Sequence, residues 1–129
     1  AYITAQRHSQ RIAVTASVNH VAFNNAVPVG SILSLEASVS RSFNTSMEVF
    51  IDVWTEDRIS GVKTKVNEAI YTFVAVDEAG KPTSVPELIP ETALEIERFN
   101  GALRRRQLSL VLVGKMKPAE AHELKAIFE

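Results

Sequence analysis

The sequence predicts a small α+β domain, and three observations carry that expectation: a length that suits one core, four segments whose apolar residues recur at every second position, and helical patterning near both ends. At 129 residues the chain fills one ordinary domain and leaves too little for two. Hydrophobic residues make up 46% and charged residues 22%, which is enough to build a core and unlike a disordered chain.

Residues 1–10 combine Ala, Gln and Arg with apolar Tyr2, Ile3 and Ala5, a mix suited to the last turns of a helix that ends on basic residues. The period then drops to two. Val14, Ala16 and Val18 alternate with Thr15, Ser17 and Asn19, and Phe23 closes this first strand. Asn24-Asn25 and Pro28-Val29-Gly30 are turn chemistry, after which Leu33, Leu35, Ala37 and Val39 alternate with Ser34, Glu36, Ser38 and Ser40. Asn44-Thr45 connect to a third strand, where Met47, Val49, Ile51 and Val53 oppose Glu48, Phe50, Asp52 and Trp54. Past the Ser60-Gly61 turn, residues 66–76 are β-branched, aromatic and apolar on both parities, as befits a central strand covered on both faces. Short connections predict antiparallel neighbours.

Residues 77–90 hold three of the five prolines and end the sheet. Thr92 and Glu95 stand at capping-box spacing before Leu94, Ile96, Phe99 and Leu103, which predicts a helix over 91–106. Gly101 weakens that helix by up to about 1 kcal/mol. Residues 108–113 suit either its continuation or a short strand. Pro118 then opens a last amphipathic helix with Leu124, Ile127 and Phe128 on one side.

Composition removes several function classes. Fourteen Lys+Arg against fifteen Asp+Glu exclude a globally basic binder of nucleic acid, and the absence of cysteine excludes disulfides, thiolate catalysis and Cys-ligated metals. The best run of uncharged, largely apolar residues, 108–113, is about a third of the roughly 18 residues a membrane helix needs, so no membrane association is expected. The N-terminus carries no secretion signal, and a cytoplasmic location is the expectation. His8, His20 and His122 lack partners at metal-ligand spacing, so no metal site is expected and each histidine suits a surface or core-edge role. Glycine-rich phosphate loops and the GxSxG elbow are absent.

Two charge patterns stand out. Between Arg98 and Lys117 lie six basic residues and no acidic one, leaving eight basic against fifteen acidic residues elsewhere. Arg104, Arg105 and Arg106 are suited to phosphate groups of a polyanionic ligand; the plain alternative is a solvated helix end whose cations complement the dipole. Glu36, Glu48, Asp52 and Glu68 fall on the polar parity of their strands, and solvent exposure is the leading expectation. Because Phe50 and Trp54 share that parity with Glu48 and Asp52, a covered or subunit-facing surface is the competing one.

Taken together, RHSQRIAVTASVNHVAF, PVGS, SRSFNTSMEVFIDVW, NEAIYTFVAVDEAGKP and SVPELIPET resemble the hotdog-fold acyl-CoA thioesterases (acyl-CoA hydrolases), in order and spacing, over about residues 1–92. The resemblance implies a curved antiparallel sheet wrapped around a central helix, with residues 1–90 forming the hotdog domain. Residues 91–129, almost all beyond the resemblance, are expected to form a C-terminal helical extension packed on the same domain or on a neighbouring subunit. It implies a homo-oligomer, a dimer or a trimer of dimers, with coenzyme A at subunit interfaces. The contacts that the resemblance maps onto this chain are Ala16, Ser17, Val18, Thr45, Ser46 and Met47, and among the three arginines Arg105 is the choice for phosphate.

Hydrolysis in such enzymes resembles water attack on the thioester carbonyl, assisted by an Asp or Asn of the central helix, with backbone N–H groups holding the oxyanion. The resemblance places that group, the first strand and the glycine-bearing turn ahead of Ala1, so no catalytic residue is named within the chain. Either the sequence represents part of a longer protein or it is a cut-down hotdog. The expected activity is therefore acyl-CoA hydrolysis without metal or redox cofactor, coenzyme A entering only as part of substrate and product. The alternative is a non-hydrolytic acyl-CoA or nucleotide-binding module.

Overall fold

The structure is a computed structural model and describes residues 1–23, 27–112 and 114. Its elements in chain order are α1 (Tyr2–Ser9), β1 (Ile12–Phe23), β2 (Ile32–Ser42), β3 (Ser46–Glu56), β4 (Lys63–Val76) and α2 (Ala93–Leu112). They fall into two compact units, Ala1–Leu88 and Ile89–Glu129.

In the first unit the four strands form one antiparallel sheet in the order β1-β4-β3-β2. β4, the segment apolar on both parities, lies inside the sheet between β1 and β3, as that composition predicts. Neighbouring in sequence means neighbouring in space for β2–β3 and β3–β4. It does not for β1 and β2, which occupy opposite edges. Eight residues separate them, and three strand spacings of about 4.8 Å, roughly 14 Å, are within the reach of such a length.

α1 lies on one face of the sheet and packs against all four strands. Its sheet-facing positions are Ala5 and Ser9, four residues apart and small enough for close approach. Met47, Val49 and Ile51 of β3 and Ala69, Phe73 and Ala75 of β4 meet Ala5 and Ala13 there to form the core. The register sets Met47 opposite Phe73 and Val49 opposite Tyr71, so each apolar row continues from strand to strand. The helix ends at Gln10, whose left-handed backbone (φ 57°) closes a bond from its N–H to the Gln6 carbonyl.

Alternation misled the reading of β1. A register shift between Thr15 and Ser17 leaves Ala16 as an extra residue, so Val14 pairs with Val74 and Val18 with Tyr71, on opposite faces. Both valines are half exposed, 52% and 51%, and among the residues of this strand whose burial is described the buried one is Ala13.

The expectation of solvent-facing carboxylates holds for Glu36 and fails for Glu48 and Asp52, which are only 3% and 7% exposed. The face that carries them is covered, the competing expectation.

In the second unit α2 is a single helix that takes residues 108–112 into its last turns, which resolves that ambiguity in favour of continuation. Thr92 Oγ1 accepts the Glu95 N–H at 3.1 Å, while the Glu95 carboxylate reaches back to the Glu91 N–H at 3.0 Å, one residue beyond the usual capping box. The Asn24-Asn25 turn and the helix expected from Pro118 lie outside the described residues. Among the described residues no helix is long and apolar enough to cross a membrane.

Candidate functional site

The two segments singled out for coenzyme A are far apart in sequence, and β4 brings them level. Thr15 of β1 and Met47 of β3 both pair with Phe73; Ser17 and Glu48 both pair with Thr72. Ala16–Val18 and Thr45–Met47 therefore flank β4 at one height, about 10 Å apart across two strand spacings. The bulge at Ala16 contributes directly, because it turns Ser17 onto the Thr72 and Glu48 side of the sheet.

Residues 43–45 form the tight connection into β3, and three backbone hydrogen bonds hold it. Val85 N–H donates to the Asn44 carbonyl (2.9 Å), Ala75 N–H to that of Thr45 (2.9 Å) and Phe43 N–H to that of Ser46 (2.7 Å). Thr45 and Ser17 are half buried, Ala16 and Val18 exposed, and Ser46 buried. Met47 is wholly buried, backbone and side chain alike, between β2 and β4.

Arg105 stands on α2 in the second unit, where its guanidinium folds back over Gly101. A Cβ on that glycine would lie 3.1 Å from Arg105 Nη1, so the residue that weakens the helix also makes room for the arginine.

Sequence reading missed three arrangements around these segments. On β2 a register shift between Val39 and Arg41 places Ser40 and Arg41 together beside Glu48, and Ser40 Oγ donates to Glu48 Oε1 at 2.6 Å. On the same face Lys65 Nζ bridges Asp52 (2.8 Å) and Glu68. Burial alone would lower the Lys65 pKa, but hydrogen bonds and charge from Asp52 and Glu68 outweigh it and hold the ammonium above the ordinary lysine value. Third, His8 Nε2 lies 2.9 Å from the Pro86 carbonyl, tying α1 to the segment that follows the sheet.

Among the described residues Trp54 Nε1 and Asn67 Oδ1 are buried without a hydrogen-bond partner, and no three His, Asp or Glu side chains converge as a metal-holding group. For His8 the sequence allowed a surface or core-edge role, without its partner. The bulges that assemble the other groups leave no mark in the period-two pattern.

Known proteins resemble this chain in sequence and fold. A family model described as the thioesterase superfamily matches residues 1–62. Protein VdlD of Helicobacter pylori is 42% identical over 108 residues, which are 84% of this chain and 62% of that protein. The chain thus spans about three fifths of the length of that curated relative. An apo-hexameric acyl-CoA thioesterase superposes with a TM-score of 0.78 at 39% identity, covering 82% of this chain and 68% of the other. An acyl-CoA hydrolase from Staphylococcus aureus, in complex with butyryl coenzyme A, coenzyme A and coenzyme A disulfide, superposes with a TM-score of 0.81 at 32% identity. That superposition covers 89% of this chain and 72% of the other.

The class defined by fold and comparison is the hotdog domain of the thioesterase superfamily. Within it, the chain belongs to the acyl-CoA thioesterase (acyl-CoA hydrolase) family.

Proposed function

We propose that the protein hydrolyses the thioester of a fatty acyl-CoA, releasing the free acid and coenzyme A through general-base-assisted attack by water. The observation that carries this reading is that Ala16–Val18 and Thr45–Met47 lie level with each other on the two flanks of β4. Those are the segments that the resemblance assigns to the nucleotide, and small residues such as Ala16, Ser17, Thr45 and Ser46 allow a ligand to approach the backbone. The ligands named for the S. aureus hydrolase, butyryl coenzyme A among them, support the substrate class.

In this reading Arg105 holds a phosphate of coenzyme A by charge-assisted bonds. The base that activates water is assigned to no residue of this chain. Catalysis uses neither metal nor redox cofactor, coenzyme A being part of substrate and product, and the working form is a cytoplasmic homo-oligomer, a dimer or a trimer of dimers. The exposed Leu33 and Leu35 on edge strand β2 support assembly, since such apolar side chains at an unpaired edge favour a covering partner.

The test is thiol release from a panel of acyl-CoAs of graded chain length by the full-length protein. Turnover on at least one is expected, and none on any length would overturn the proposal. Binding of coenzyme A without turnover would select the non-hydrolytic module. Arg105→Ala should weaken coenzyme A about tenfold and dephospho-coenzyme A less if it meets the 3′-phosphate, whereas an equal effect on both removes that role.

A further inference from the structure

The segment after β4 does more than leave the sheet. Asp77 Oδ1 accepts the N–H groups of Ala79 and Lys81 at 2.9 Å, which reverses the chain tightly, and Val76 bridges Pro82 so that the segment runs back along β4. Thr83 N–H then donates to the Ala75 carbonyl, Val85 N–H to the Asn44 carbonyl and Leu88 N–H to Ser42 Oγ, each at 2.9 Å. Residues 83–88 are therefore a strap laid across the β2–β3 connection, and two of its amides grip Ser42 and Asn44 on either side of Phe43. Pro86 sits between those two amides. It has no N–H to contribute and its φ is fixed, so its carbonyl is the group by which the middle of the strap is held. That carbonyl lies 2.9 Å from His8 Nε2. A carbonyl only accepts, so His8 carries a proton on Nε2.

We infer that His8 is a positioning residue for the coenzyme A site. By holding Pro86 from α1 it keeps the strap pressed on residues 42–44, and the strap in turn sets the backbone of Thr45–Met47. The inference rests on the coenzyme A reading of that segment. His8 itself touches no ligand; its effect passes through Pro86, Val85 and the Asn44 carbonyl.

The full-length protein with His8→Phe, which keeps a ring and removes the donor, His8→Gln, which restores one, and Ser42→Ala, which releases Leu88, tests this. Two readouts are taken: KM and kcat on an acyl-CoA that the wild type hydrolyses, and amide hydrogen exchange of residues 43–47. His8→Phe should raise KM and the Kd of free coenzyme A about fivefold, the size expected of one lost hydrogen bond, with kcat within about twofold of wild type. Exchange at 43–47 should accelerate by a similar factor. His8→Gln should recover most of both, and Ser42→Ala should resemble His8→Phe.

Unchanged exchange at 43–47 in His8→Phe overturns the inference whether or not the enzyme turns over. A fall in kcat at constant KM also overturns it, since that would put His8 in the chemistry. Absence of wild-type turnover and coenzyme A binding overturns the thioesterase reading alone, because the exchange result still judges the strap. Should His8→Phe fail to fold, Ser42→Ala decides: normal KM and exchange there end the inference.

Discussion

The two faces of β3 are equally shielded from water and are built on different chemistry. Towards α1, Met47, Val49 and Ile51 pack with Phe73 and Ala69 in rows that need no polar partner. On the reverse, Ser46, Glu48, Phe50 and Asp52 are buried too, and their polar groups are met by hydrogen bonds and charge: Ser40 on Glu48, Lys65 on Asp52. The first face is held by area removed from water, at about 25 cal/mol per Å². The second depends on geometry, because a buried carboxylate without its partner costs several kcal/mol. Alternation along a strand therefore reports which face is apolar. It does not report which face is wet.

Substitutions on each face sharpen that contrast. Phe73→Ala, which empties a side chain only 2% exposed in the middle of the apolar rows, should cost about 3–5 kcal/mol in urea unfolding. A loss below about 1 kcal/mol would mean that the core lies elsewhere.

Lys65→Met keeps the stem and removes the charge. It should cost about 1–2 kcal/mol, less than a fully buried pair because the Lys65 side chain is 30% exposed. The sign with pH follows from the raised Lys65 pKa. Its contribution is complete below the ordinary lysine pKa and fades as pH climbs through the higher folded value, so Lys65→Met should flatten the alkaline loss of stability. An alkaline limb identical in both proteins would remove the pair from the account.

Asp57 lies in the turn after β3, fully exposed, with its pKa lowered by the backbone N–H groups of Ser60 and Ile59. Its hold on the turn is complete above the ordinary carboxylate pKa and is lost as pH falls through the depressed folded value, which amide exchange at Ile59 and Ser60 should report. Leu35→Thr, at an edge-strand position 68% exposed, should shift stability by less than about 0.5 kcal/mol in the isolated chain. A larger loss that depends on protein concentration would mark Leu35 as a subunit contact.

Much of this fold could be read beforehand, for identifiable reasons. β2, β3 and β4 announce themselves because Leu35, Val49 and Phe73 each fall within an unbroken period of two or a doubly apolar run. The start of α2 was legible because Thr92 and Glu95 are a local device, and a local device needs no tertiary knowledge. What stayed hidden was whatever depends on a strand's partner. The bulge at Ala16 separates Val14 from Val18, the bulge at Ser40 delivers a hydroxyl to Glu48, and the strand order sends β1 and β2 to opposite edges. The Ala16–Val18 and Thr45–Met47 segments were found through resemblance, and their common height on β4 is a fact of register that no spacing along the chain contains.

The extra residues in β1 also bear on how this domain tolerates insertion and deletion over evolutionary time. Removing Ala16 would erase a bulge and let the residues on either side keep their present partners on β4, so the ladder survives the loss even though a residue assigned to coenzyme A goes with it. From Ser46 to Val53 the ladder of β3 has no such reserve. A single deletion there would carry Glu48 or Asp52 into the apolar rows beside Phe73, reversing every inward and outward assignment beyond the cut. The sheet itself therefore tolerates a change of length in β1, while β3 keeps its count.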